Sequence, residues 1–238
     1  MVKRRASWFT HHNMKTRLLI VTGNDTGVGK TLVACALTRC LRRAGLNAVG
    51  MKPICSGGRG DALALMAASD SVLTVDDVNP WHFRAAVAPL LAARIERKCI
   101  KPHQVLDHIR LAVQRFEVAV IEGAGGLLSP LGEGFNTRDL IVRLKAVPIV
   151  VCPNRLGAVN QVLLVLSALP RGRLERAHVI LMNQEHDDGT AKSNPVLLSE
   201  FLEASRVQCL PWVKTKADEL VVEKCLASMC QRAGILRR

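Results

Sequence analysis

Short apolar runs alternate along the chain with longer segments in which apolar positions recur every three or four residues. The runs at 18–21, 47–51, 118–121, 149–152, 177–182 and 207–210 read as buried strands. Helical patterns cover 32–44, 62–68, 89–96, 102–115, 137–145 and 157–169, and 195–204 and 217–232 complete the alternation. Strand and helix in regular turn predict one α/β domain with a mostly parallel central sheet and helices on both faces. Residues 76–83 follow neither period and read as an irregular surface connection. No internal repeat, low-complexity stretch or linker divides the chain, and no apolar stretch approaches the eighteen or so residues a membrane helix needs.

The most informative junction follows the first run. Gly23-Asn24-Asp25-Thr26-Gly27-Val28-Gly29-Lys30-Thr31 joins a buried strand to a helix, the order of a phosphate-binding loop. Backbone N–H groups of such a loop and of the helix it opens converge on one anion. Lys30 then reaches the β/γ-phosphates, and Thr31 offers its hydroxyl to a phosphate-bound Mg²⁺. The first glycine stands one place earlier than in the commonest spacing, so the loop is a variant.

Other candidates stand at strand ends, where open parallel sheets bind ligands. Lys52-Pro53 terminates the second strand, ahead of the loop at 55–60. Asp61 opens the next helix, as a metal ligand or as a plain cap. Glu122 ends a strand, where phosphate-loop enzymes keep an acid for Mg²⁺ or its water. Asn183, also at a strand end, reads either as a base contact or as turn chemistry. His82, between two aromatics, reads as packed.

Charge and cysteines add a second layer. The formal charge is +13, and residues 1–17 hold five basic residues and no acid. Residues 1–14 read as a disordered basic extension or over-long start, with a targeting or binding arm as the alternative; 15–238 is the domain. The net charge leaves open a basic nucleic-acid-binding ATPase, although aromatics are only 3% and Tyr is absent, leaving few stacking platforms. Eight cysteines with no C-x2-C pair read as reduced, mostly buried side chains of a cytoplasmic protein, without a structural zinc site.

Taken in order, the Gly23–Thr31 loop, Lys52-Pro53-x-x-Ser56-Gly57, Asp61-Ala62-Leu63-Ala64-Leu65 and Glu122-Gly123-Ala124-Gly125-Gly126 closely resemble dethiobiotin synthetase, a phosphate-loop NTPase family. The resemblance implies ATP- and Mg²⁺-dependent closure of a cyclic urea from CO₂ and 7,8-diaminopelargonic acid, through a carbamate and a carbamic-phosphoric anhydride. It implies Lys30 and Lys52 as catalytic groups, and Thr31, Asp61 and Glu122 around Mg²⁺. Nucleotide contacts fall to Asp25, Thr26, Gly27, Val28, Gly29, Lys30, Thr31, Glu122, Asn183 and Pro211. Thr26, Lys52, Ser56, Leu156, Gly157 and Asn160 contact the diamine, the last three in a homodimer. No specific nucleic acid and no membrane is implied. Two stretches depart from the family pattern, the short loop at 58–60 and residues 84–90. Partition and septum-positioning ATPases are the nearest rivals, but they carry a lysine where this chain has Asp25.

Overall fold

The computed structural model describes residues 16–236, so the basic extension at 1–14 lies outside the described residues. The apolar runs become strands, and their order along the chain sets the layers. From the N-terminal side come β1 (Arg17–Gly23), α1 (Lys30–Arg43), β2 (Ala48–Met51), β3 (Ile54–Ser56), α2 (Gly60–Ala68), α3 (Val75–Val78) and β4 (Trp81–Phe83). Next are α4 (Pro89–Ile95), α5 (Pro102–Val113), β5 (Val118–Glu122), β6 (Pro130–Gly132), β7 (Phe135–Asn136) and α6 (Thr137–Arg143). The chain continues with β8 (Val147–Asn154), α7 (Ala158–Ser167), α8 (Arg171–Leu174), β9 (His178–Asn183), α9 (Ser193–Leu198), β10 (Val207–Leu210) and α10 (Lys216–Arg232).

Six strands form one sheet in the order β10-β9-β8-β1-β5-β2, with every neighbouring pair parallel. Such a sheet is covered on both faces, which is why β1, β5 and β8 are nearly continuous apolar sequence. Helix α1 buries Val33, Ala34, Leu37 and Leu41, a spacing that keeps all four on one helical face. Its outer side takes α10, where the buried Glu223 accepts from Arg39 and Arg43. The thiols largely serve this core: five of the eight cysteines are buried and Cys99 is exposed.

Register sets the site. Val21 lies opposite Glu122, and Met51 lies opposite Ile121, so Lys52 leaves the sheet level with Glu122. A slip of one residue would turn Glu122 to the other face.

Residues 76–83 differ from the expected irregular connection. Thr74 and Asp77 form a capping box that starts α3, and Trp81–Phe83 then pairs in parallel with Ile54–Ser56. The loop expected at 55–60 therefore begins as a strand. Near the C-terminus the helical stretch expected at 195–204 ends early, at Leu198, and a 3₁₀ turn over Ala204–Arg206 leads into β10.

Candidate active site

Gly29 is the N-cap of α1 at φ 95°, left-handed backbone that only glycine adopts freely, and no side chain caps the helix. The first N–H groups of α1 are thus free for an anion. Lys30 is buried, and its Nζ donates to the Asp25 carbonyl at 2.6 Å, folding the lysine back over its own loop. The Leu127 N–H donates to the Gly23 carbonyl at 3.0 Å, tying the segment after β5 to the phosphate loop.

Beside that loop the register assembles a charged cluster. Lys52 Nζ lies 2.5 Å from Glu122 Oε1 and 2.9 Å from Asp61 Oδ2, and Thr31 Oγ1 donates to the same Glu122 oxygen at 2.9 Å. Lys52 and Glu122 are 5% and 2% exposed, whereas Asp61, at the start of α2, is half exposed. Burial works against the Lys52 charge, but the facing Glu122 and Asp61 carboxylates more than offset it and hold its pKa above the ordinary value. Glu122 has one lysine to set against its burial, and burial pushes its pKa up. Burial would raise Asp61 too; the Lys52 ammonium overrides this and holds it low. Burial, then the Lys52 charge, lowers the pKa of Lys30. A second anion placed between these two lysines would relieve both effects.

Glu122 Oε2 is buried with no hydrogen-bond partner among the described residues. An orphaned carboxylate oxygen beside the Thr31 hydroxyl and the Asp61 carboxylate suits a hard divalent cation once Lys52 Nζ, here bonded to both carboxylates, gives way. Thr31, Asp61 and Glu122 therefore fit Mg²⁺.

The remaining expected residues flank this cluster. Thr26 is exposed, and its N–H donates to Asp25 Oδ1 at 2.7 Å. The Ser56 hydroxyl is engaged elsewhere, donating to the Val87 carbonyl at 2.5 Å. Gly157 is the N-cap of α7 at φ 87°, again with no side-chain cap, and Asn160 is exposed on the first turn. The Leu156 N–H is taken by Asp188 Oδ2 at 2.7 Å. Asn183 ends β9, and its Oδ1 accepts from Asn154 Nδ2 at 2.8 Å. A cleft of about 240 Å³ runs from Gly27, Val28 and Leu32 to Pro153, Met182 and Trp212. Asn183 follows Met182 directly, and Pro211 precedes Trp212. Sequence reasoning did not single out Pro153, Met182 or Asn154, whose meeting depends on pairing between β8 and β9, nor Asp188, in the loop after β9; none carries a local signal.

A family model described as an AAA domain matches residues 17–219. An ATP-dependent dethiobiotin synthetase of Akkermansia muciniphila is 38% identical over 189 residues, covering 79% of this chain and 89% of that protein. Another, from Anaeromyxobacter sp. (strain K), is 40% identical over 201 residues, covering 82% and 90%. Among solved structures, the septum site-determining protein MinD from Pyrococcus horikoshii has a TM-score of 0.53 at 12% identity, covering 91% of this chain and 95% of that one. MinD from Aquifex aeolicus gives 0.55 at 12% identity, covering 91% and 96%. Those two likenesses carry the fold alone. The relatives matched along most of their length carry the family, and this chain belongs to the ATP-dependent dethiobiotin synthetases.

Proposed function

We propose that the protein catalyses ATP-dependent formation of dethiobiotin from 7,8-diaminopelargonic acid and CO₂, releasing ADP and phosphate. One substrate amine adds to CO₂, loses a proton and becomes a carbamate. A carbamate oxygen attacks the γ-phosphorus and ADP leaves; the second amine then attacks the activated carbonyl carbon, loses its proton and expels phosphate. The observation that carries this reading is Lys52, an ammonium held between Glu122 and Asp61 next to the phosphate loop, where a carbamate anion must lie to reach the γ-phosphate.

Lys30 and the free N–H groups of α1 would bind the phosphates, and the fixed Lys30 charge would stabilise the loose phosphoryl group as it transfers. Lys52 would hold the carbamate against loss of CO₂. Thr31, Asp61 and Glu122 would hold Mg²⁺, which when bound neutralises phosphate charge and would turn Lys52 Nζ from these two carboxylates toward the carbamate. The adenine would enter the cleft bounded by Met182 and Trp212, with Asn183 and Pro211 at its edge. Thr26 and Ser56 border the diamine in this reading, Ser56 after giving up its bond to Val87.

A second cleft of about 280 Å³, lined in part by Asn24, Leu127, Leu128, Leu164 and Val165, suits the substrate's methylene chain. The N-terminus of α7, uncapped at Gly157 and with Asn160 exposed on its first turn, suits its distant carboxylate, with Leu156 bordering it after its N–H gives up Asp188. Leu128, Leu156 and Leu164 are strongly exposed along that side, which supports a homodimer closing over the chain. Free thiols at all eight cysteines support a cytoplasmic enzyme, and residues 15–238 are proposed as its catalytic unit.

The test is a product assay with the diamine, bicarbonate, ATP and Mg²⁺, each omitted in turn. Dethiobiotin and phosphate that need all four support the reading. Phosphate released without diamine overturns it.

A further inference from the structure

Lys52 sits just beyond the edge strand β2, where no neighbouring strand of the main sheet fixes it. Its backbone is held from outside the sheet instead. The Lys52 N–H donates to the Val78 carbonyl at 3.1 Å, and the Lys52 carbonyl accepts from Asn79 Nδ2 at 2.7 Å. Asn79 is 1% exposed, and its other amide atom is also occupied: Oδ1 accepts from Arg59 Nε and from Cys55 Sγ, each at 3.1 Å. Arg59 Nη2 donates to three more acceptors around the same turn, the Asn79 carbonyl and Asp76 Oδ1 at 2.8 Å and the Val75 carbonyl at 3.1 Å. A planar guanidinium that satisfies four acceptors fixes a turn as a flexible lysine cannot.

Arg59 has a second position in the same machinery. It is the N-cap of α2, its carbonyl accepts from the Leu63 N–H at 3.0 Å, and Asp61 lies in the first turn of that helix. The Arg59 side chain thus ties the residue at the start of the helix that presents Asp61 to the 75–79 turn and, through Asn79, to the backbone that presents Lys52. The loop at 58–60 is short, and the bonds that hold it come from the distant 75–79 segment.

We propose that Arg59 and Asn79 are positioning residues that hold the Lys52 ammonium between Glu122 and Asp61, and through it the carbamate subsite; the catalytic part rests on the function proposed above. Neither side chain touches Lys52 Nζ, so their effect is on where the charge lies. Loss of either would leave the phosphate loop, built on β1 and α1, as it is.

Two measurements on Arg59→Met, Arg59→Lys and Asn79→Ala test this. The first does not depend on activity. Acetylation of Lys52 by acetic anhydride, followed by mass spectrometry and divided by the rate at the exposed Lys101, reads how firmly the ammonium is held. Arg59→Met and Asn79→Ala should raise that ratio at least about tenfold, with Arg59→Lys between them and the unaltered protein. The second is kinetic. Arg59→Met should lower kcat/KM for the diamine at least about tenfold while the Kd for a non-hydrolysable ATP analogue moves less than about twofold. Arg59→Met, at the solvent edge, keeps the test open should Asn79→Ala fail to fold.

An unchanged Lys52 ratio in the folded variants overturns the proposal, as does equal loss of ATP-analogue binding, which would mark general loosening. If the unaltered protein makes no dethiobiotin, the proposed function falls and the acetylation ratio still decides the positioning.

Discussion

Replacing Lys52 with methionine keeps most of the side-chain volume and removes the ammonium. Glu122 is then left 2% exposed with Thr31 Oγ1 on one oxygen and nothing on the other. Removing one partner of a buried ion pair costs about 3–5 kcal/mol. The contact with the half-exposed Asp61 adds about 1 kcal/mol at most. At roughly 2–4 °C per kcal/mol for a chain of this size, the Tm at about pH 8 should fall by about 6–24 °C.

The pH dependence carries the sharper test. Burial already pushes the pKa of Glu122 up, and losing Lys52 raises it further. A carboxyl whose folded pKa lies above its unfolded value binds more protons folded than unfolded, so it costs stability above the folded pKa, and that cost vanishes below the unfolded one. The Tm gap between the two proteins, followed by circular dichroism, should therefore narrow as pH falls from about 8 to about 5. A drop below about 2 °C at the higher pH, or a gap of the same size at both, would refute the account of a charge held against burial.

Three further outcomes follow from the same geometry. Lys30→Met should lower kcat by about 10²–10³ with no loss of Tm in the absence of nucleotide, because burial makes the ammonium costly there; a clear fall in Tm would mean Lys30 holds the fold. Glu122→Gln should raise the Mg²⁺ concentration needed for half-maximal activity several-fold, and an unchanged titration would leave Glu122 structural. Gly157→Ala meets no atom within 4 Å but must hold φ near 87°, at a cost of about 1–2 kcal/mol; the KM for the diamine should rise and that for ATP stay put, and an unmoved diamine KM would remove α7 from the substrate site.

The parts of this protein that were legible in its sequence have local signals. The phosphate loop combines an apolar run, glycines and Gly-Lys-Thr within about a dozen residues, and the central strands of the main sheet are nearly continuous buried runs, unlike the partly buried edge strand β10. Lys52, Asp61 and Glu122 were legible as candidates because they stand at element ends. That Lys52 meets Glu122, 70 residues away, is a consequence of sheet register and became visible only in the structure. The β3–β4 and β6–β7 pairs are two or three residues to a strand, too short for a period to emerge, and so 76–83 looked irregular. The Ser56 hydroxyl was legible as a polar group beside Lys52, but its bond to Val87 depends on the course of a segment that departs from the family pattern.

On the proposed function the sheet order would also set the direction of the nucleotide. Strand β1 runs between β8 and β5, so its loop borders two different neighbourhoods. Toward β8 and β9 it meets Pro153, Met182 and Trp212, an apolar cleft without a charged side chain among its walls. Toward β5 and β2 it meets Glu122 and Lys52, with Asp61 behind them. A base belongs in the first neighbourhood and a γ-phosphate with its cation in the second, since burying a phosphate in the apolar cleft would leave its charge uncompensated. On the proposed function the γ-phosphoryl group would be directed at the edge of the sheet where β2 ends, and its acceptor would approach from there. The MinD structures share the fold at 12% identity, and a fold does not by itself set the chemistry at its strand ends. In this chain the residues leaving that edge include a lysine and two carboxylates that keep it charged, the set proposed to hold the carbamate.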